Sequence, residues 1–346
     1  MALRFRSRSK RKNTIALIAA LLAAAVLSGL FALDYKLNTS KHDHHDFVMG
    51  TVVSLKLTGQ GGPATAEKIV KQMRNLEYKQ LSWRVADTYI AKANAKAGLA
   101  SFEPDEETLR YLEDSLKICR ASKGALDISI GKITALWDFD SDEKVLPDKG
   151  EIEALLPFVD YKNIDLSDGQ IFVGQNQALD MGAVGKGIAC DEARALLRVS
   201  SVKSAIVSVG GSVLLYNTEA RVGIRNPDGG PNDYLGILKL KNCNISTSGN
   251  YEKAFEFEGE KYHHILDPKT GYPVDNDLAG VTVICKDGLT ADALSTACFV
   301  LGYKDSLPLL EEYEARAVFV FKDKSVRTSG LLEKDFSLTD SAYQLV

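Results

Sequence analysis

Polar and basic at its start, the chain turns apolar without a break from Thr14 to Leu33 and becomes polar again at Asp34. An uncharged run of about 20 residues can cross a bilayer as one helix. The basic residues before it, Arg4, Arg6, Arg8, Lys10, Arg11 and Lys12, favour the cytoplasm for that end and place everything after Asp34 on the other side of the membrane. Small residues near the end of the run also fit a cleaved signal peptide, and both readings export the rest of the chain. The pattern therefore divides into a basic tip and membrane segment at 1–34, a polar tether at 35–45 and a domain at 46–346. The tether holds Lys36, Lys41, His42, Asp43, His44 and His45, a solvated spacer by composition.

Beyond Phe47 the hydrophobic period switches between that of strands and that of helices. Alternation predicts strands at 51–58, 170–174, 204–209, 221–225, 235–240, 279–285 and 316–321. The helical period predicts helices at 64–81, 106–121, 150–157, 187–198, 290–301 and 304–313. These elements make a mixed α/β (α+β) fold, and without a Pro/Gly-rich linker or internal repeat a single elaborated domain is the simplest organisation.

Composition narrows the function classes. With 346 residues, 45% of them hydrophobic, the chain can bury a sizeable core, and a net charge of -4 spread along it removes the electrostatic argument for nucleic-acid binding. Cys119, Cys190, Cys243, Cys285 and Cys298 are odd in number and lack CxxC spacing, so they read as buried small hydrophobes and not as a zinc site or disulfide framework.

Three stretches carry chemistry. Asp180-Met181-Gly182-Ala183-Val184-Gly185-Lys186-Gly187 is a Gly-rich turn running into a helix, where backbone N–H groups can approach a phosphate and Lys186 adds charge; it lacks the spacer and the Ser/Thr of a Walker A loop, and a tight structural turn is the plain alternative. In Thr290 to Phe299 the side chains of Asp292 and Thr296, four apart, leave one helix face, and a carboxylate with a hydroxyl there can hold Mg²⁺. The alternative for Asp292 is a helix-start carboxylate favoured by the dipole. The turn-rich Lys261 to Pro273 carries His263 and His264, either a general base or simply exposed.

Together with Phe47-Val48-Met49-Gly50-Thr51, Gly124-Ala125-Leu126-Asp127, Val209-Gly210-Gly211 and Thr247-Ser248-Gly249-Asn250-Tyr251, these stretches resemble, in order, the ApbE-like FAD:protein FMN transferases over about residues 47–322. The resemblance implies Mg²⁺ held by the Ala183 carbonyl and the Asp292 and Thr296 side chains, with Gly185 as the alternative carbonyl. It implies FAD, as substrate, held by Met49, Arg84, Ala125, Leu126, Asp127, Asp180, Lys186 and Leu266. Arg84 stands where many relatives carry a Tyr, and could stack or pair with phosphate, with Trp83 supplying aromatic surface. His264 is the expected base, with Asp267 or Asp292 as alternatives. The implied partner is an exported or membrane electron-transfer protein whose Ser/Thr hydroxyl receives FMN, with release of AMP. Two other activities fit the same residues: an Mg²⁺-dependent FAD pyrophosphatase giving FMN and AMP, and a surface protein that binds FAD without chemistry.

Overall fold

In the computed structural model, which describes residues 2–230 and 232–346 (for 2–16 the backbone only), the apolar run lies inside one long helix, α1 (Ala2–Thr39). Its apolar residues from Leu17 onward stay exposed, Phe31 at 74%. The 23 residues Leu17–Thr39 are long and apolar enough to cross a membrane. The side chains of the basic cluster at 4–12 lie outside the described residues.

The expected tether is a correction. No spacer separates α1 from the domain: Ser40 Oγ donates to the Gly59 carbonyl at 3.0 Å, and Lys41–Val48 forms strand β1, paired antiparallel along its whole length with β2 (Thr51–Gly59). A polar composition reads as solvated chain only while no neighbour needs its backbone. Here β2 presents an edge of unpaired N–H and C=O groups, and β1 satisfies them.

Next come α2 (Gly62–Asn75), α3 (Tyr89–Ala95), α4 (Glu106–Ala121), α5 (Gly131–Trp137), α6 (Lys149–Leu155) and α7 (Gly185–Arg198). The helix expected over 64–81 leaves α geometry after Asn75 and ends in a π turn at Leu76–Leu81. The expected strand at 170–174 is reduced to single bridges, Phe102 to Ile171 and Asp165 to Phe172. Strands β3 (Val202–Val209), β4 (Ser212–Tyr216), β5 (Glu219–Arg225), β6 (Tyr234–Lys241), β7 (Asn244–Gly249), β8 (Ala254–Phe257), β9 (Glu260–His263) and β10 (Leu278–Cys285) follow. Then come α8 (Gly288–Glu312), β11 (Arg316–Phe321), β12 (Ser325–Ser329), β13 (Phe336–Leu338) and β14 (Gln344–Leu345). The two helices expected at 290–301 and 304–313 are joined in α8 across Gly302, whose φ of 77° suits a residue without Cβ.

A nine-stranded sheet runs in the order β1-β2-β3-β4-β7-β10-β11-β12-β14. On one face Val53, Leu55 and Leu57 of β2 pack with Ile188 of α7 and Leu294 of α8 in the main core. On the other, Leu215, Ile245 and Val320 pack against Leu238 and Leu240 of the small sheet β13-β6-β5. A third, aromatic cluster surrounds Trp137, whose indole N–H donates to the Gly271 carbonyl at 2.8 Å and so anchors the turn-rich loop after β9. All five cysteines are free and buried, and burial pushes the Cys119, Cys285 and Cys298 thiols up to about 12.

Candidate active site

A cleft of about 1390 Å³ opens where the sheet, the starts of α7 and α8 and the aromatic cluster meet. Every residue expected to hold the metal or FAD lines it, as does His264. At its floor α7 and α8 approach backbone to backbone: a Cβ on Gly187 would lie 2.1 Å from the Gly288 carbonyl oxygen and 2.8 Å from Asp292 Cβ. Asp191 of α7 locks this contact by accepting from the N–H groups of Gly288 at 2.7 Å and Leu289 at 2.9 Å, two donors that the start of α8 leaves open. Gly187→Ala is therefore expected to cost about 3 kcal/mol or more, read as a lowered thermal midpoint, because backbone and not a flexible side chain must yield.

Close approach also fixes Asp292. It is buried, five residues into α8, while Asp191 takes the open N–H groups at the helix start. Its Oδ2 accepts from Gly187 N–H at 2.9 Å and its Oδ1 from Ser212 Oγ at 3.2 Å, with Lys186 Nζ at 4.0 Å. Gly187 N–H, one of the first donors of α7 that have no partner within the helix, is taken by the carboxylate, and the Ala183 carbonyl, just before the helix, accepts no hydrogen bond among the described residues. Thr296, one turn along α8, has its Oγ1 3.2 Å from Ser248 Oγ. Carboxylate, hydroxyl and free carbonyl are hard oxygen donors that suit Mg²⁺. No group of three or more His, Cys, Asp or Glu converges among the described residues.

The two adjacent histidines differ in what they have left to give. His263 is spent: its Nε2 donates to the Val274 carbonyl at 3.1 Å and its Nδ1 accepts from Ile265 N–H at 3.3 Å. His264 lies 2.9 Å through Nδ1 from the Glu252 carbonyl. A carbonyl only accepts, so Nδ1 carries the proton and Nε2 keeps its lone pair at the cleft. Burial, seconded by Lys186, lowers His264 to about 4. Asp267, the alternative base, does not line the cleft; its Oδ1 accepts from Lys269 N–H and holds a turn. Glu252 is a site residue that none of the motifs includes, one position beyond the Thr247 to Tyr251 stretch. Its carboxyl lines the cleft and is raised by burial against the opposing pull of Lys186.

The other wall holds the remaining expected contacts. Met49, at φ 57°, is tied through its N–H to Glu77 at 2.9 Å in the turn between β1 and β2. Arg84 stacks on Trp83, 4.1 Å from the ring centre, and pairs with Asp140 at 3.1 Å, which also holds Lys253 at 2.6 Å. Of the Ala125, Leu126 and Asp127 segment, the Asp127 carboxylate is already used: it accepts from Ser129 N–H, Ser129 Oγ and Tyr161 N–H, which leaves the segment's backbone and apolar surface for a ligand. Asp180 Oδ1 accepts from Gly182 N–H and shapes the Gly-rich turn, and Leu266 is fixed by a bridge to Pro273.

The sequence model of the ApbE family matches residues 49–321. The chain is 30% identical to the FAD:protein FMN transferase of Treponema pallidum, covering 92% of this chain and 95% of that protein. It is also 30% identical to the FAD:protein FMN transferase of Klebsiella pneumoniae, over 86% of this chain and 95% of the other. The crystal structure of the ApbE protein from Thermotoga maritima is similar, with a TM-score of 0.77 at 30% identity over 83% of this chain and 96% of that one.

Proposed function

The chain belongs to the ApbE family, and from that premise we propose that it is an FAD:protein FMN transferase that moves the FMN half of FAD, with Mg²⁺, onto a Ser/Thr hydroxyl of a protein outside the cytoplasm. The observation that carries this reading is the convergence of Asp292, Thr296, Lys186, the free Ala183 carbonyl and the His264 lone pair in one cleft.

In this reading the acceptor oxygen attacks the phosphorus on the FMN side of the diphosphate. The bond from that phosphorus to the bridging oxygen breaks, AMP leaves with the electron pair, and the hydroxyl proton passes to His264 Nε2. Ala183, Asp292 and Thr296 would hold the Mg²⁺, which when bound neutralises charge growing on the transferred phosphoryl group and on leaving AMP. Lys186 adds a fixed positive charge at the phosphates. Met49, Leu126 and Leu266 shield the site from water, and Arg84 with Trp83 offers a cationic and aromatic face to the flavin or adenine.

The exposed apolar helix Leu17–Thr39 supports a membrane anchor, and the basic residues before it support an extracytoplasmic domain. Co-expression of the full chain with exported candidate acceptors, followed by mass spectrometry, tests the reading. The expected result is an FMN adduct on Ser or Thr together with acceptor-dependent AMP release. FMN and AMP formed equally fast without any acceptor would refute it.

A further inference from the structure

The cleft does not end at the reaction centre. Beyond Gly210 and Gly211 it continues as a groove whose floor is the face of β2 and β3 turned away from the helices, through Ser54, Lys56 and Ser208. Its wall is β5, the end strand of the small sheet, which pairs with β6 on one side and has no strand on the other among the described residues. Such an edge presents backbone N–H and C=O groups at the spacing of an extended peptide.

Three basic side chains line this groove, with Glu252 the acid at its inner end. Lys56 from the floor and Arg221 and Arg225 from the wall all line it, and none has a carboxylate within 4.0 Å among the described residues. Arg225 is the most specific of the three. Its guanidinium lies over the Tyr251 ring at 5.2 Å, and its Nε is buried with no hydrogen-bond partner among the described residues. Glu252, whose carboxyl feels the Arg225 charge, forms no ion pair with it among the described residues. A buried, oriented guanidinium donor left unpaired is costly unless an incoming anion takes it. The phosphate end of the cleft, at Lys186 and Asp292, has its own cation, so a second anion site along a strand edge suits a peptide carboxylate.

We propose that the acceptor protein is held here by an extended segment carrying acidic side chains, laid along the free edge of β5 with one carboxylate on Arg225, so that its Ser/Thr hydroxyl reaches the centre at Asp292 and His264. This rests on the transferase reading, and it adds how the acceptor is recognised.

The test uses the full chain in detergent, saturated with FAD, and a set of labelled peptides in which one Thr is flanked by Asp at successive positions, each with its Asn counterpart. Binding is followed by fluorescence anisotropy and FMN transfer by mass spectrometry, so the groove and the transferase reading fail on different readouts. At least one Asp peptide is expected to bind about tenfold or more tighter than its Asn counterpart. Arg225→Gln should erase that difference while FAD affinity and the thermal midpoint stay unchanged. Equal binding of Asp and Asn peptides throughout would overturn the proposal. So would an Arg225→Gln variant that loses FAD affinity as much as peptide affinity, because the guanidinium would then belong to the phosphates.

Discussion

Replacing Asp292 by Asn is expected to lower FMN transfer by about a thousandfold or more while leaving the fold intact. The amide oxygen can still accept from Gly187 N–H, whose hydrogen bond at 2.9 Å holds the starts of α7 and α8 together, so the packing of the two helices survives. What disappears is one unit of negative charge at the point where the proposed Mg²⁺ would be held, beside Lys186 at 4.0 Å. A bound divalent cation contributes several kcal/mol to a phosphoryl-transfer transition state, and about 1.4 kcal/mol is a factor of ten in rate. The decisive measurement is single-turnover AMP release across a magnesium titration, with a thermal melt as the control for folding. A variant that reaches the parent rate at saturating magnesium has lost affinity only. One that stays a thousandfold slow has lost the charge arrangement at the reacting phosphorus, and one that transfers normally without needing more magnesium takes Asp292 out of the site.

His264→Ala should slow transfer by about a hundred- to ten-thousandfold with FAD affinity near that of the parent, the range a positioned general base supplies. The pH profile distinguishes a base from a spacer. Burial first, and then the charge of Lys186, depress His264 from 6.5 to about 4, so the imidazole is neutral and able to accept a proton at every pH well above that value. The part of the rate that depends on this base should therefore be flat from pH 8 down to about 5 and fall as acid protonates Nε2 around pH 4. An ordinary exposed histidine would place the same loss near pH 6.5. If the alanine variant keeps the acid limb of the parent, the titrating group lies elsewhere, and Glu252, whose carboxyl is raised by its own burial, is the next residue to change.

Much of the frame was legible from periodicity, because helix and strand periods are properties of neighbours in the chain. The helix expected at 106–121 is α4, residue for residue, and the strand expected at 316–321 is β11. Asp292 and Thr296 could be put on one helix face from their spacing alone. Residues 41–45, expected to belong to a tether, differ for the opposite reason. The alternation in His-Asp-His-His-Asp-Phe-Val is masked by polar side chains on both faces, and only the open edge of β2 makes it a strand.

For the site, local sequence determined which residue types were on offer: a Gly-rich turn before a helix, a carboxylate and hydroxyl one turn apart, and a loop with two histidines. Tertiary structure decided how each is used. The Asp127 carboxylate went to Ser129 and Tyr161, His263 to Val274, and Asp191 to the start of α8, leaving Asp292 and the His264 lone pair facing the cleft. The physical reason is that a hydrogen-bonding group can be spent only once, and what spends it is often far along the chain. Gly187 and Asp292, 105 residues apart, meet because two glycines let α7 and α8 touch, and no period in the sequence records that contact.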